Sequence, residues 1–498
     1  MSLNRPRPEG DPAAPVLPRG SHPGEPGVGV DLPPPFAARD EATRWLFSLN
    51  RFGIRPGLQR IEGLLEDLGH PERDLRTVVV AGTNGKGSTT RIVATLLQAA
   101  GHRVATYTSP HLLNVYERIR LDDRSVDPDD FARRVAAIRP LTEKHAASWF
   151  ETLTALALQI ARDAGAEWFC CEAGLGGRLD ASNALPAVAT LLTTVGLDHQ
   201  RILGETRAEI AAEKLGLLKR GVPLFAGLDA ELRGQAFTAA VTAGSPCFFL
   251  DELARWPEDG PRDVTWELTL RDRVYGDLPD PGTPVMRRNV ALALLALTEL
   301  EAARGAALLP GDVAGALGNL FLPGRYQRVL RAPDWLFDTA HNAQALGNAL
   351  ATFAAEPCAG RRVVLFGAMY DKDLDLPTSR RLAAADHVFA VPVSLPRSRT
   401  PDELRAVLAG AGIAAAPADA PWSAPGVVFG DMGAGLTALA AGLTPDDRVL
   451  VTGSCFTVAE VLHRLGWDDL DATRTALPAG PVLARLVPGA DPGRKDST

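Results

Sequence analysis

The segment 78–90 constrains the fold of this chain more than any other part of the sequence. A run of β-branched residues leads into Gly82-Thr83-Asn84-Gly85-Lys86-Gly87-Ser88-Thr89, and a helical pattern follows over 91–100. A glycine-rich turn between a strand and a helix lets backbone N–H groups surround phosphates, and the helix N-terminus adds partial positive charge. We therefore expect an ATP site made by residues 82–89, with Lys86 on the β and γ phosphates and the Ser88 hydroxyl on Mg²⁺. A flexible turn with a solvated lysine is the alternative, because Gly87 makes the spacing unusual.

Strand-like apolar runs alternate with helical patterns along most of the chain, which is typical of parallel sheets covered by helices. The runs occupy 77–81, 104–108, 168–172, 187–195, 335–338, 362–368 and 448–452. A Gly/Pro break at 322–325 separates two such series, so the sequence predicts two α/β domains. We expect a Pro/Gly-rich disordered leader at 1–37, a nucleotide-binding domain at 38–325, a smaller Rossmann-like domain at 326–467 and a flexible tail at 468–498.

Composition excludes several classes of protein. The net charge of -8 gives no affinity for nucleic acid or an anionic membrane, and no apolar run is long enough to span a bilayer. The five cysteines form neither a zinc pattern nor a disulfide framework, which fits a reducing cytoplasm. We expect a cytoplasmic protein with small-molecule substrates.

Several motifs together resemble the folylpolyglutamate synthase/dihydrofolate synthase family of the Mur ligase superfamily. They occur in the family's order over roughly 40–466: the phosphate loop, Thr108-Ser109-Pro110-His111-Leu112, Glu172-Ala173-Gly174-Leu175-Gly176-Gly177-Arg178-Leu179-Asp180-Ala181-Ser182-Asn183, Leu197-Asp198-His199, Glu213-Lys214-Leu215-Gly216, Leu322-Pro323-Gly324-Arg325, Asp338-Thr339-Ala340-His341-Asn342, Asp371-Lys372-Asp373 and Gly453-Ser454. The resemblance implies that 38–325 is a P-loop Mur-ligase-like ATPase domain with a mostly parallel sheet, and that the smaller Rossmann-like domain at 326–467 is a C-terminal glutamate-ligase domain.

Metal chemistry is expected beside the phosphate loop. Ser88 and Glu172 are oxygen donors of the kind Mg²⁺ prefers, and Glu172 ends a predicted strand, where α/β sheets place their ligands. Helix capping and ion pairing are the alternatives for these two residues. The resemblance adds His199 as a metal ligand, and it implies that Lys214 is carbamylated and holds a second magnesium. The sequence leaves an alternative open for each residue: His199 as a structural hydrogen-bond donor, and Lys214 on the solvated face of a charged helix.

The resemblance also assigns residues to the substrates. It places Asn289 near adenine, Arg325 on the ATP phosphates and Asp338 by the ribose or phosphates. The incoming glutamate is assigned to His341 and Ser454, and the pterin to Leu58, Arg60, Ser109, Pro110, His111 and Phe150. The alternatives are helix caps for Asn289 and Ser454, an interdomain ion pair for Arg325, a helix-terminal hydrogen bond for His341 and a core position for Phe150.

The implied activity is ATP-dependent ligation of L-glutamate to dihydropteroate or a folate through an acyl phosphate, with Lys86, Lys214 and His341 as catalytic residues. The resemblance implies a monomer and leaves open whether K⁺ assists. Two other interpretations remain: a Mur-type ligase acting on a cell-wall precursor, and a regulatory protein that hydrolyses ATP without forming an amide.

Overall fold

The computed structural model describes residues 38–49, 56–256, 265–372 and 374–486. These residues form α/β layers around two large, mostly parallel sheets, which confirms the predicted fold class. Of the helices in these ranges, none is both long enough and apolar enough to cross a membrane.

The first large sheet belongs to the nucleotide-binding half of the chain. Its strands are β1 (Arg76–Ala81), β2 (Val104–Tyr107), β3 (Ile119–Leu121), β4 (Arg124–Ser125), β5 (Trp168–Glu172), β6 (Ala187–Leu192), β7 (Leu224–Ala226) and β8 (Cys247–Phe249). They lie in the order β4-β3-β2-β5-β1-β6-β7-β8. The β2–β3 and β3–β4 pairs are antiparallel, and the other neighbours are parallel.

Eleven α-helices accompany this half of the described chain. They are α1 (Glu41–Ser48), α2 (Gln59–Asp67), α3 (Lys86–Ala99), α4 (Pro128–His145), α5 (Trp149–Asp163), α6 (Gln200–Leu203), α7 (Arg207–Leu215), α8 (Ala230–Ala243), α9 (Leu250–Leu253), α10 (Pro284–Arg304) and α11 (Val313–Gly318). A small antiparallel sheet, β9 (Ala254–Arg255), β10 (Trp266–Leu270) and β11 (Arg273–Leu278), precedes α10.

Alternate residues of β1 enter different cores. Val78 and Val80 pack in the core that contains α3 and α10, whereas Val79 and Ala81 pack in the core that contains α7 and α8. Burial on both faces explains why the strand is a continuous apolar run in the sequence. In the sheet, β1 lies between β5, which is followed by β2, and β6, which is followed by β7. The chain goes from β1 to β2 on one side and from β5 to β6 on the other, and such a switch point forms a crevice at the carboxyl ends of parallel strands.

The second large sheet begins at Gln327, two residues after the predicted boundary. Its strands are β12 (Gln327–Arg331), β13 (Asp334–Phe337), β14 (Arg362–Phe366), β15 (His387–Ala390), β16 (Ala415–Ala416), β17 (Gly426–Val428), β18 (Arg448–Thr452) and β19 (Leu477–Pro478), in the order β16-β17-β15-β14-β18-β13-β12-β19. All neighbours are parallel except β12 and β13. The helices are α12 (Ala343–Ala355), α13 (Leu376–Arg380), α14 (Pro401–Gly410), α15 (Met432–Gly442), α16 (Cys455–Arg464) and α17 (Ala479–Leu483).

The prediction of a flexible tail from residue 468 is wrong for the described part of that segment. Strand β19 pairs with β12, and Leu470, Val482 and Leu483 are buried in the core of the second domain. The Gln327 amide also donates to the Thr473 carbonyl over 2.8 Å. The high content of Pro, Gly and charge concealed a few apolar residues that complete this core.

Candidate active site

The phosphate loop joins β1 to α3 as the sequence predicts, although α3 begins at Lys86 and not at 91. Gly85 caps the helix with φ +85°, a conformation that favours glycine, and a Cβ there would lie 2.7 Å from Oδ1 of Asn289. Among the described residues, the N–H groups of 85–88 have no hydrogen-bond partner, as expected in the first turn of a helix. Lys86 Nζ donates to the Thr83 carbonyl over 3.2 Å. The loop therefore offers several donors and one cation to a phosphate.

A carboxylate faces the start of α3. Glu172 ends β5, which pairs in parallel with β1, and its side chain is buried. Oε2 accepts the Ser109 N–H over 2.8 Å, whereas Oε1 has no partner in the described ranges. Burial raises the pKa of Glu172, and the charge of Lys86 opposes that rise. The buried Ser88 lies on the same cavity wall.

These donors suit magnesium. A hydroxyl and a carboxylate with one free oxygen would supply two ligands, and nucleotide phosphates and water would supply the others. A cluster of His, Cys, Asp and Glu able to hold a metal without help from a substrate is absent from the described residues. The arrangement fits a metal that binds together with a nucleotide.

Lys214 is buried and not solvent-exposed, so the surface alternative for this residue is wrong. Its Nζ donates to the Gly82 carbonyl over 2.9 Å, which places the amine under the phosphate loop. Burial, together with the charge of Lys86, lowers the pKa of Lys214 to about 7. At neutral pH a large share of the side chain is therefore the neutral, nucleophilic amine.

The glycine-rich motif after β5 holds α7, which carries Lys214, in place. A Cβ on Gly177 would lie 2.7 Å from the Glu213 carbonyl, so the two backbones can approach only because no side chain intervenes. The Arg178 N–H donates to that carbonyl over 2.8 Å, and the Asn183 amide donates to the Gly216 carbonyl over 3.2 Å. This part of the motif positions the lysine.

His199 lies at the edge of the cavity and its side chain is 47% exposed. Partial burial of the ring lowers its pKa, and the charge of Asp198 opposes that effect. The imidazole is therefore neutral at neutral pH, the form that can ligate a metal.

The second domain contributes the opposite wall. Arg325 Nη1 donates to Thr339 Oγ1, and the Asp338 carboxylate accepts the Tyr326 and Ala340 N–H groups, each over 2.9 Å. Burial raises the pKa of Asp338, and the charge of Arg325 opposes the rise. His341 Nδ1 donates to the Thr339 carbonyl over 3.1 Å, which leaves Nε2 facing the first domain.

These residues enclose a cavity of about 250 Å³ between the domains. The predicted residues on its wall are Gly82, Thr83, Asn84, Gly85, Lys86, Gly87, Ser88, Ser109, Pro110, Glu172, His199, Lys214, Asn289, Arg325, Asp338 and His341. The wall also includes Val285, Met286, Ala345 and Asn348, which together with Asn289 give a mixture of apolar and amide groups suited to a flat base. Asn289 is no helix cap, since Thr283 caps α10.

A second, smaller cavity adjoins the first. The two share wall residues Gly87, Ser88, Ser109, Pro110, Glu172, Arg325 and Thr339. His111 lines the second cavity, and its Nδ1 accepts from Arg118 Nε over 2.9 Å. Because Nδ1 is an acceptor, the ring proton lies on Nε2, and burial together with the Arg118 charge lowers the pKa of His111. Arg118, which the sequence did not single out, also stacks on the Trp149 ring at 4.3 Å.

Some predicted site residues are not brought to either cavity. Ser454 lines neither cavity: it is buried, and its hydroxyl accepts the Thr457 N–H over 3.0 Å as the cap of α16, which is the alternative role that the sequence left open. Its neighbour Cys455 lines the second cavity. Arg60 donates to Glu151 Oε2 over 3.1 Å. Phe150 packs 5.6 Å from the Tyr107 ring.

Two further predicted site residues are in the core or within a helix, and part of a predicted loop is outside the described residues. Leu58 packs against the core near α1 and α2, and Thr89 is buried within α3. Residues 52–55 of the predicted pterin loop lie outside the described ranges. Sequence reasoning assigned no site role to Asp198, Asn342 or Lys372, although each of them belongs to one of the family motifs.

Comparison with known proteins points to a single family. Residues 324–455 match the model of the Mur ligase, glutamate ligase domain. The chain is 30% identical over 389 residues to the dihydrofolate synthase/folylpolyglutamate synthase of Bacillus subtilis, covering 74% of this chain and 88% of that protein. It is 29% identical over 428 residues to the Escherichia coli protein of the same name, covering 84% and 93%.

Solved structures of two proteins from this family have a similar fold. An E. coli FolC protein in complex with DHPP and ADP superposes with a TM-score of 0.75 at 29% identity, covering 88% of this chain and 99% of that one. A Yersinia pestis bifunctional folylpolyglutamate synthase/dihydrofolate synthase superposes with a TM-score of 0.73 at 28% identity, covering 86% and 99%.

The fold and the site define an ATP-dependent ligase built from a P-loop domain and a Mur-type glutamate ligase domain. Within that class, the chain belongs to the dihydrofolate synthase/folylpolyglutamate synthase family.

Proposed function

We propose that this protein joins L-glutamate to the carboxylate of dihydropteroate, of a folate or of both, with ATP as the energy source. The observation that carries the proposal is the pair of adjoining cavities between the domains. One contains the phosphate loop, and both are bordered by Glu172 and Arg325. A γ-phosphate in the first cavity and a carboxylate in the second would meet where the two cavities share their walls.

The reaction begins when an oxygen of the acceptor carboxylate attacks the γ-phosphorus of ATP; a new O–P bond forms, the bond to the β-phosphate oxygen breaks, and ADP leaves. Lys86, Arg325 and the N–H groups at the start of α3 offset the repulsion between the two anions. Magnesium, held by Ser88 and Glu172 with His199 as a further ligand, would neutralise phosphate charge as a Lewis acid. The resulting acyl phosphate is then attacked by the amino group of glutamate.

The amine must reach the acyl carbon from the second domain. Asp338 and His341 follow β13, and His341 points its Nε2 toward the first domain. We assign His341 to the incoming glutamate and Asp338 to the ribose or phosphates. Attack forms the C–N bond, breaks the bond between the acyl carbon and the phosphate oxygen, and releases one proton from the amine.

We further propose that Lys214 is carbamylated. The neutral amine attacks CO₂, a C–N bond forms and one proton leaves, giving a carbamate anion. Burial under the phosphate loop favours this step, because it lowers the pKa of Lys214 to about 7 and so supplies the neutral amine. The carbamate oxygens would hold a second magnesium near the γ-phosphate, where an ammonium would be repelled.

The test uses purified protein, ATP, Mg²⁺ and glutamate with dihydropteroate or a reduced folate, and the products are resolved by mass. The proposal predicts an amide one glutamyl unit heavier than the acceptor and one ADP per amide. ADP formation that ignores both acceptors would favour an ATP-hydrolysing regulator, and activity only with a cell-wall nucleotide precursor would favour the other Mur-type ligases. The same assay shows whether both acceptors are used, whether K⁺ stimulates the reaction and, with gel filtration, whether a monomer is active.

A further inference from the structure

A polar network joins the two domains at the edge of the first cavity, and its centre is Asp198. Lys372 Nζ donates to Oδ1 over 2.7 Å, and Asn342 Nδ2 donates to Oδ2 over 3.1 Å. His341 Nε2 lies 3.7 Å from Oδ2. All three partners belong to the second domain, whereas Asp198 follows β6 of the first.

The same network reaches the phosphate loop. Asn342 Nδ2 also donates to Asn84 Oδ1 over 3.0 Å, and Asn84 Nδ2 donates to Gln344 Oε1 over 2.9 Å. A Cβ on Gly196 would lie 2.6 Å from that Gln344 oxygen, so the second domain rests directly on the first at this point. Side chains of the second domain thus contact the loop that binds the nucleotide.

The central ion pair is sheltered from solvent. The side chains of Asp198 and Lys372 are 11% and 17% exposed, so water screens their attraction less than it screens a surface pair. The Arg399 guanidinium donates to the Lys372 carbonyl over 2.8 Å and fixes the backbone that presents the lysine. The pair is therefore a defined contact between the domains beside the phosphates.

We propose that Asp198 is a positioning residue: its pair with Lys372 latches the second domain over the phosphate loop and directs the acyl phosphate to the amine instead of to water. Attack by the amine gives the amide and phosphate, whereas attack by water regenerates the carboxylate and releases phosphate without a product. A loosened latch keeps the nucleotide loop and the metal ligands but admits water. This inference rests on the proposed function, because it concerns the fate of the acyl phosphate.

The experiment measures phosphate released per amide formed in Asp198→Asn, Lys372→Met and the double variant. The wild type gives one phosphate per amide. Each single variant raises that ratio by about threefold or more and raises KM for glutamate, while KM for ATP changes little. The double variant is no worse than Asp198→Asn, because the ion pair that Lys372→Met breaks is already lost in Asp198→Asn.

The controls separate this role from a general loss of structure. Lys372→Arg keeps the charge and donors and stays near one phosphate per amide. Asp402→Asn removes the exposed pair with Arg405 on the same domain and leaves the ratio at one. Thermal unfolding of every variant identifies any that fails to fold. If Asp198→Asn fails to fold, the phosphate-to-amide ratio of Lys372→Met decides the test, because Lys372 lies on a loop, where a substitution disturbs the fold least.

If both single variants release one phosphate per amide, with phosphate release and amide formation reduced by the same factor, the latch is overturned. That result differs from failure of the proposed function, in which the wild type itself forms no amide from glutamate and either acceptor.

Discussion

The sharpest prediction concerns Gly87, the residue that separates Lys86 from Ser88 in the phosphate loop. A Cβ at this position would lie 2.9 Å from Glu172 Oε2, closer than side-chain carbons approach oxygen in folded proteins. The helix start or the carboxylate would have to move by about 0.5 Å to restore an ordinary contact. Such a shift acts on the two groups we assign to the metal.

For Gly87→Ala we expect a loss of about tenfold to a hundredfold in turnover with a raised magnesium requirement, because displacements below 1 Å matter at such sites. The protein should be destabilised by no more than about 2 kcal/mol, because the helix preference of alanine over glycine, about 1 kcal/mol, offsets part of an overpacking cost of about 1–3 kcal/mol. The measurements are a magnesium titration of acceptor-dependent ADP formation and thermal unfolding.

Gly234→Ala is the matched control. This glycine also lies within a helix, α8, but a Cβ there meets nothing within 4 Å. The substitution should stabilise the protein by up to about 1 kcal/mol and leave turnover unchanged. A wild-type rate and magnesium requirement in Gly87→Ala would refute the proximity argument and the assignment of Glu172 to the metal.

Further predictions concern the same site and the chain ends. Lys86→Ala should abolish acceptor-dependent ADP formation, and near-normal turnover would exclude the lysine from phosphate transfer. Glu172→Gln should shift the magnesium titration to about tenfold higher concentration, since a charged ligand is lost, and an unchanged titration would contradict that role. Lys214→Ala should be inactive and partly restored by acetate. Lys214→Arg should stay inactive, and a wild-type rate in this variant would refute the carbamate, because arginine keeps its positive charge. Deletion of residues 468–498 should lower the melting temperature markedly, because apolar side chains leave the core. An unchanged melting temperature would contradict this expectation. Deletion of 1–37 should preserve activity, and a loss of activity would contradict that prediction.

The sequence predicted the nucleotide half of the site well, because its chemistry is local. Residues 82–88 are contiguous, and a strand, a glycine turn and a helix can each be recognised from neighbouring residues. Glu172 was also accessible, since the end of a buried strand next to β1 points into the crevice. These inferences need only the order of elements.

Contacts across the domains could not be derived in this way. Asp198 is 174 residues from Lys372, and no periodicity relates the two. Ser454 occupies a family motif, yet its hydroxyl caps a helix, and the sequence cannot show which of the two roles a serine takes. Burial of Lys214 likewise depends on how α7 packs under the phosphate loop, so its lowered pKa emerges only in three dimensions.

The measurement that tests the account most directly follows oxygen from the acceptor carboxylate. Dihydropteroate labelled with ¹⁸O in its carboxylate is incubated with ATP, Mg²⁺, glutamate and the protein, and the released phosphate is analysed by mass. An acyl phosphate transfers one labelled oxygen to phosphate each time an amide forms, because the bond broken by the amine lies between the acyl carbon and that oxygen. We predict one labelled oxygen in each phosphate. Amide formation with unlabelled phosphate would contradict the acyl-phosphate mechanism.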